Sequence, residues 1–332
     1  MLPPRARLFG VLPALVAIAA ARQDGPHAPE LATPAPAVAF RPAKVPDVAS
    51  YACATCHAEV TAEWAASAHG LAWVDEVYQA ALKDKKRPEL CHGCHVPELL
   101  LGAGLAPRAD AREEILGHGV SCEACHQDES GTMLGPRGTS VDAHPSKVVP
   151  EMVAPGSTAL CSLCHSTNIG PVLGIAKDFA AAKMAERGLS CVGCHMATVE
   201  RAWATDAPIR PGRSHLLQTP RDPAFLRHAI GLAWRADGGK SRLVLKNQAG
   251  HRVPGLIGRE LHIRAELCDA EGKTIETVEK RIDERAYLPV DGELELPFTK
   301  TGASVHVTGR HKDPRATEPV PFLDERVETS GR

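Results

Sequence analysis

The sequence predicts an α+β chain: a mainly helical and irregular part over residues 51–235, then a small antiparallel β-sandwich-like domain over 240–318. Three observations carry this. Ten of the eleven cysteines lie in five copies of one short motif, all before residue 196. The intervals between copies leave room for one or two helices each, too little for separate cores. From about residue 240, apolar residues begin to alternate with polar ones at period two.

The N-terminus comes first. Arg5 and Arg7 precede a thirteen-residue apolar stretch from Leu8 to Ala20, and Ala19 and Ala21 flank a small-residue cleavage point. This is the pattern of a secretory signal peptide over 1–21. The stretch contains Pro13 and falls short of the ~20 residues that a bilayer-spanning helix needs. No cysteine occurs before Cys53, so no lipid anchor on an N-terminal cysteine is expected. The mature chain should be periplasmic or extracellular, and peripheral to a membrane at most. Residues 22–50 are rich in Pro and Ala and read as an extended linker. A net charge of −2 without long blocks of one sign argues against nucleic-acid binding.

The five motifs are CATCH (Cys53, Cys56, His57), CHGCH (Cys91, Cys94, His95), CEACH (Cys122, Cys125, His126), CSLCH (Cys161, Cys164, His165) and CVGCH (Cys191, Cys194, His195). An exported chain uses cysteine for disulfides by default, yet a disulfide framework has no reason to place His after every second Cys. Zinc sites pair such units with less regular His placement. C-x-x-C-H is the attachment motif of haem c. Two thiols three residues apart add to the two vinyl groups of one porphyrin edge, and the next histidine reaches the iron from one face. Five covalently attached haem c groups are therefore expected. Successive motifs begin 38, 31, 39 and 30 residues apart, so the haems must pack against each other. Aromatic residues make up only 4% of the chain, which fits a core built largely of porphyrin.

His57 and His69 cannot hold the same iron. In a helix, twelve residues separate them by ~18 Å along the axis, so His69 must serve another haem or none. Four further histidines complete a set of five expected sixth ligands. They are His118 before the third motif, His144 in a Pro-bounded loop, His215 in RPGRSH and His251 in the Gly/Pro-rich NQAGHRVPG. His92, His228, His262, His306 and His311 read as solvent or haem-edge residues. Met196 directly follows His195 and cannot reach the far face of the same haem. His/His ligation is favoured, and it lies at lower potential than Met/His.

In the C-terminal part, LHIRAEL puts Leu261, Ile263, Ala265 and Leu267 on one face of a strand. DAEGK supplies a turn, TIETVEKRI a returning strand and ASVHVTG a further one. Cys268, the odd cysteine, reads as a free and inert thiol. Residues 319–332 read as an irregular tail.

Together, CATCHAEVTAEWAASAHG, HGVSCEACH and CVGCHM resemble the multihaem cytochrome c superfamily that includes cytochrome c-554, hydroxylamine oxidoreductase and pentahaem nitrite reductase. NQAGHRVPG with its following strands resembles a C-terminal β module of some exported multihaem cytochromes. The resemblance spans roughly residues 50–268 and implies that His69 and His118 each bind a neighbouring haem iron. Two departures stand out. All five motifs end in His, whereas pentahaem nitrite reductases have Lys in the catalytic one. Tyr51, Tyr78 and Tyr287 sit in no motif for the tyrosine cross-link of hydroxylamine oxidoreductase. The expected function is electron transfer between redox partners, such as other cytochromes or a membrane quinol oxidoreductase, through closely packed bis-His haems. A haem with an open sixth position, reducing or oxidising a small nitrogen or sulfur oxyanion, is the alternative. Arg210 and Arg213 could then stabilise the anion.

Overall fold

A computed structural model describes residues 51–168, 174–237 and 240–329; the expected leader and linker lie outside them. The motif-bearing half is a string of short elements. α1 (Ala58–Ala66), α2 (Glu76–Lys83), α3 (Glu89–His95) and α4 (Cys122–His126) lead to the strands β1 (Met133–Gly135) and β2 (Ser146–Val148). Then come α5 (Pro150–Val153), α6 (Ala159–His165), α7 (Ile175–Ala181) and α8 (Cys191–His195). A hairpin of β3 (Thr198–Ala202) and β4 (Ile209–Arg213) follows, and α9 (Pro223–His228) leads into the second half.

Four of the motifs close helices α3, α4, α6 and α8, and the first forms a 3-10 turn in which the His57 amide donates to the Cys53 carbonyl at 2.8 Å. A helical turn brings positions i and i+3 to one side, so both thiols of a motif face the same way. Ser190 fixes the start of α8 by accepting from the Gly193 amide at 2.9 Å.

Among the described residues this half builds little apolar core of its own. Its buried clusters are triplets, Tyr51/Trp64/Ala65 and Leu101/Leu134/Val149. Such triplets cannot offset the ordering of so long a segment, which costs ~1–2 kcal/mol per residue in the backbone alone. The stabilising apolar bulk has to come from elsewhere, and the porphyrins expected from the motifs would supply it.

The second half is the opposite. β5 (Ile230–Asp237), β6 (Lys240–Asn247) and β9 (Glu293–Phe298) form one antiparallel sheet. β7 (Glu260–Cys268), β8 (Thr274–Ile282), β10 (Ser304–Lys312) and β11 (Val320–Glu328) form another, in the order β11-β10-β7-β8. Leu243, Leu245 and Leu296 from the first sheet meet Ile263, Leu267 and Val307 from the second in one large core. The face expected from LHIRAEL is the buried one.

Three readings change. The β-sandwich starts at Ile230, ten residues early, because β5 is largely half-buried and shows no clean alternation. The expected tail contains β11, paired with β10 from Ser304↔Glu328 to His311↔Val320. Two prolines hide it in the sequence, but it is an edge strand, and the register shifts at Gly309/Arg310 where Pro321 enters, a position that needs no N–H donor. His311 is 2% exposed instead of solvent-facing, because it points inward from β10.

Candidate haem-binding sites

A metal–imidazole bond is about 2 Å long, so an iron held between two imidazoles sets their ring centroids about 6 Å apart. Four motif histidines face a second histidine at this spacing. His57 faces His144 at 6.4 Å, His165 faces His69 at 6.3 Å, His126 faces His215 at 6.0 Å and His195 faces His251 at 6.3 Å. In each pair the second ring comes from a segment outside the motif's own helix.

The other ring nitrogen is held by a backbone carbonyl in four of these eight side chains. His57, His126, His195 and His251 direct Nδ1 at the carbonyls of Trp203, Leu134, Gln218 and Arg252, at 2.5, 2.8, 2.7 and 2.8 Å. A carbonyl only accepts, so Nδ1 carries the proton and Nε2 keeps its lone pair for a metal. Burial and neighbouring histidines push His69 and His215 down to about 4, and burial also lowers His126, His165, His195 and His251. Neutral imidazoles are what a metal requires.

Local packing explains how His69 is presented. Ser67 Oγ accepts from the His69 and Gly70 amides, both at 3.2 Å, and Trp64 Nε1 donates to the Val120 carbonyl at 2.7 Å. The HGV segment lies directly against this bend. At Gly119 (φ +54°) a Cβ would sit 2.5 Å from the His69 carbonyl, so only glycine fits. His215 is anchored by its amide, which donates to Glu63 at 2.8 Å, while Arg201 holds the other Glu63 oxygen at 2.5 Å.

The thiols suit thioether formation. Cys56 and Cys194 are exposed, the other motif cysteines are half-buried, and all are unbridged. Thiols of different motifs lie near enough to perturb one another: Cys122 lowers Cys53 and is itself raised, as are Cys164 beside Cys94 and Cys191 beside Cys161. The attachment edges of these motifs are therefore neighbours. Cys268 is apart from them, buried 2% exposed at the end of β7.

His95 is different. Its Nδ1 lies 2.6 Å from the Ala72 carbonyl, but among the described residues no histidine faces it across an iron-sized gap. Instead the Tyr78 ring stacks on it at 3.6 Å and 5°. His118, the remaining expected ligand, stands edge-on to Tyr51 at 4.5 Å and Trp64 at 6.3 Å. There it lines a cavity of about 130 Å³ with Arg112, Ser121 and Glu123. Arg210 and Arg213 lie on β4, where Arg213 donates to the Met196 carbonyl and to Thr198 Oγ1 at 3.2 and 3.0 Å. Sequence reasoning missed Tyr78, because a tyrosine acting through ring stacking leaves no spacing signal.

Residues 52–127, which span the first three motifs with His69 and His118, match the family of cytochrome c554 and c-prime. The structure of a penta-haem cytochrome c552 from Thermochromatium tepidum is similar over 83% of this chain and 97% of that one, with a TM-score of 0.57 and 17% identity. IrmA from Escherichia coli aligns over 28% of this chain and 79% of that one at a TM-score of 0.19 and 14% identity, too low to carry an argument. No curated protein matches. The chain thus carries five C-x-x-C-H turns, is similar over three of them to the cytochrome c554 family, and shares the fold of a penta-haem cytochrome over most of its length.

Proposed function

We propose that the protein is an exported pentahaem electron carrier, passing electrons between two redox partners through haems attached at all five motifs. The observation that carries this is the set of four facing histidine pairs at 6.0–6.4 Å. An iron with imidazoles on both faces has no position left for substrate, and its working states differ only by one electron. When bound, the haems supply the one-electron chemistry. The chain's part is to fix the axial nitrogens, exclude water and keep neighbouring attachment edges together. The mutually perturbed thiols make motif 1 a neighbour of motif 3, motif 2 of motif 4, and motif 4 of motif 5. Low-potential partners such as other c-type cytochromes or a quinol oxidoreductase suit His/His ligation. Export fits both the N-terminal leader pattern and haem attachment outside the cytoplasm.

The second reading rests on His95. A haem there without a second imidazole could take a small ligand and reduce a nitrogen or sulfur oxyanion. Low-temperature EPR of the oxidised protein, quantified against iron, tests both readings. Four low-spin irons per chain are expected, with a high-spin signal near one-fifth of the iron from the His95 site. Mostly high-spin iron would overturn the carrier reading. A fifth low-spin iron would remove the second one.

A further inference from the structure

The segment that touches His95 is tied to the β-sandwich by a buried ionic network. Asp75 is the N-cap of α2, and its Oδ1 accepts from the Tyr78 amide at 2.9 Å. Arg315, in the turn between β10 and β11, grips the same carboxylate with two hydrogen bonds, Nε to Oδ2 at 2.7 Å and Nη2 to Oδ1 at 3.0 Å. Arg221 adds a third cationic contact to Asp75 at 3.7 Å. Arg315 is itself placed by Asp313, whose Oδ1 accepts its backbone amide at 2.9 Å and whose Oδ2 accepts from Arg259 at 2.8 Å. Asp75 is 9% exposed and Asp313 2%.

Two groups of this segment meet the His95 imidazole. The Ala72 carbonyl accepts its Nδ1 proton, and the Tyr78 ring covers its face. The Asp75 amide bonds back to Leu71, the residue before Ala72, at 2.9 Å. Asp75 thus holds both ends of the short span that orients the ring, the Tyr78 end by its carboxylate and the Leu71 end by its backbone amide. Tyr78 is 8% exposed, and its hydroxyl has no hydrogen-bond partner among the described residues.

We propose that Arg315 of the β-sandwich is a positioning residue for the His95 haem, acting through Asp75 on the Ala72 carbonyl and the Tyr78 ring. A bidentate Arg–carboxylate pair fixes direction as well as distance. A firm Nδ1–H···O=C bond makes the imidazole a more basic ligand, which favours Fe(III) and lowers the potential. Loosening the network weakens that bond and raises the potential of this one haem. The β module then does more than cover the haems, because it sets one of their potentials from across the domain boundary.

The inference rests on a haem being attached at Cys91 and Cys94, which intact mass of the holoprotein tests by itself. Fewer than five haems in the wild type would sink that reading without bearing on the network. The experiment is a spectroelectrochemical titration of Arg315→Gln, Asp75→Asn, Tyr78→Leu and the double variant Arg315→Gln/Tyr78→Leu, each with its haem count. Arg315→Gln and Tyr78→Leu are expected to move the same one-fifth of the absorbance change to higher potential and leave the rest in place. The double variant should move by less than the sum of the two single shifts, because Arg315 acts in part through Tyr78. Arg315→Lys keeps the charge and should recover part of the shift even if Arg315→Gln folds poorly. An unchanged titration, a shift shared by all haems, or additive shifts in the double variant would each overturn the proposal.

Discussion

Outside the five motifs, a histidine's surroundings decide whether it can serve as a ligand, and its neighbours in sequence do not. His69 and His306 are both half-buried. Yet His69 faces His165 and is pushed down to about 4 by burial and three nearby histidines, while His306 pairs with Asp324 at 2.6 Å on the sandwich surface. His69→Ala should therefore convert one low-spin iron to high-spin at an unchanged haem count, and His306→Ala should leave the EPR spectrum as it was. Loss of a whole haem in the first variant would show that His69 supports attachment instead. The motif histidines were legible because a covalent motif fixes them locally. His144, His215 and His251 were legible only as histidines in turns. Their partners emerged where the chain folds back, and His118, chosen by the same logic, came to rest beside Tyr51 and Trp64.

At the scale of elements, the two halves owe their stability to different things. β7 was readable because Leu261, Ile263, Ala265 and Leu267 alternate with polar residues, and all four are almost fully buried. Ile263→Ala should cost about 2–5 kcal/mol, the range for emptying a packed aliphatic site. Its denaturant midpoint should fall while the haem spectrum of the folded protein stays unchanged. A spectral change would mean that the sandwich core and the haem sites are packed as one unit. The short motif helices gave no periodicity to read, since an element of five residues completes barely more than one turn. β11 escaped for a related reason. As an edge strand with prolines, it shows little of the pattern that marks a central one.

Across the whole molecule, ionic contacts join the halves: Asp75 with Arg315, Asp178 with Arg252 at 2.6 Å, and Arg227 with Glu325 at 2.6 Å. Burial alone would raise the Asp75 and Asp313 carboxyls. The arginines around them outweigh it, and both end below the ordinary carboxylate range. A folded-state pKa below the unfolded one means stability that is complete above about pH 4 and fades as pH falls through the depressed value. Asp313→Asn should therefore be less stable than the wild type at neutral pH, and the gap should close in acid, where the wild-type carboxyl is also neutral. Urea unfolding across that range reads this directly. A gap that widened in acid would contradict it.

The sequence by itself determined where haem attachment is expected and through which atoms, and that the C-terminal part is a β structure. Each depends on residues a few positions apart, within reach of one turn or one strand. Only the tertiary structure decided which histidine faces which, that His95 is covered by Tyr78, and that a β-sandwich arginine holds the segment beneath it. Those contacts join residues up to 240 positions apart. Axial ligation needs two rings brought to opposite sides of one iron, and the path of the whole chain determines which two they are.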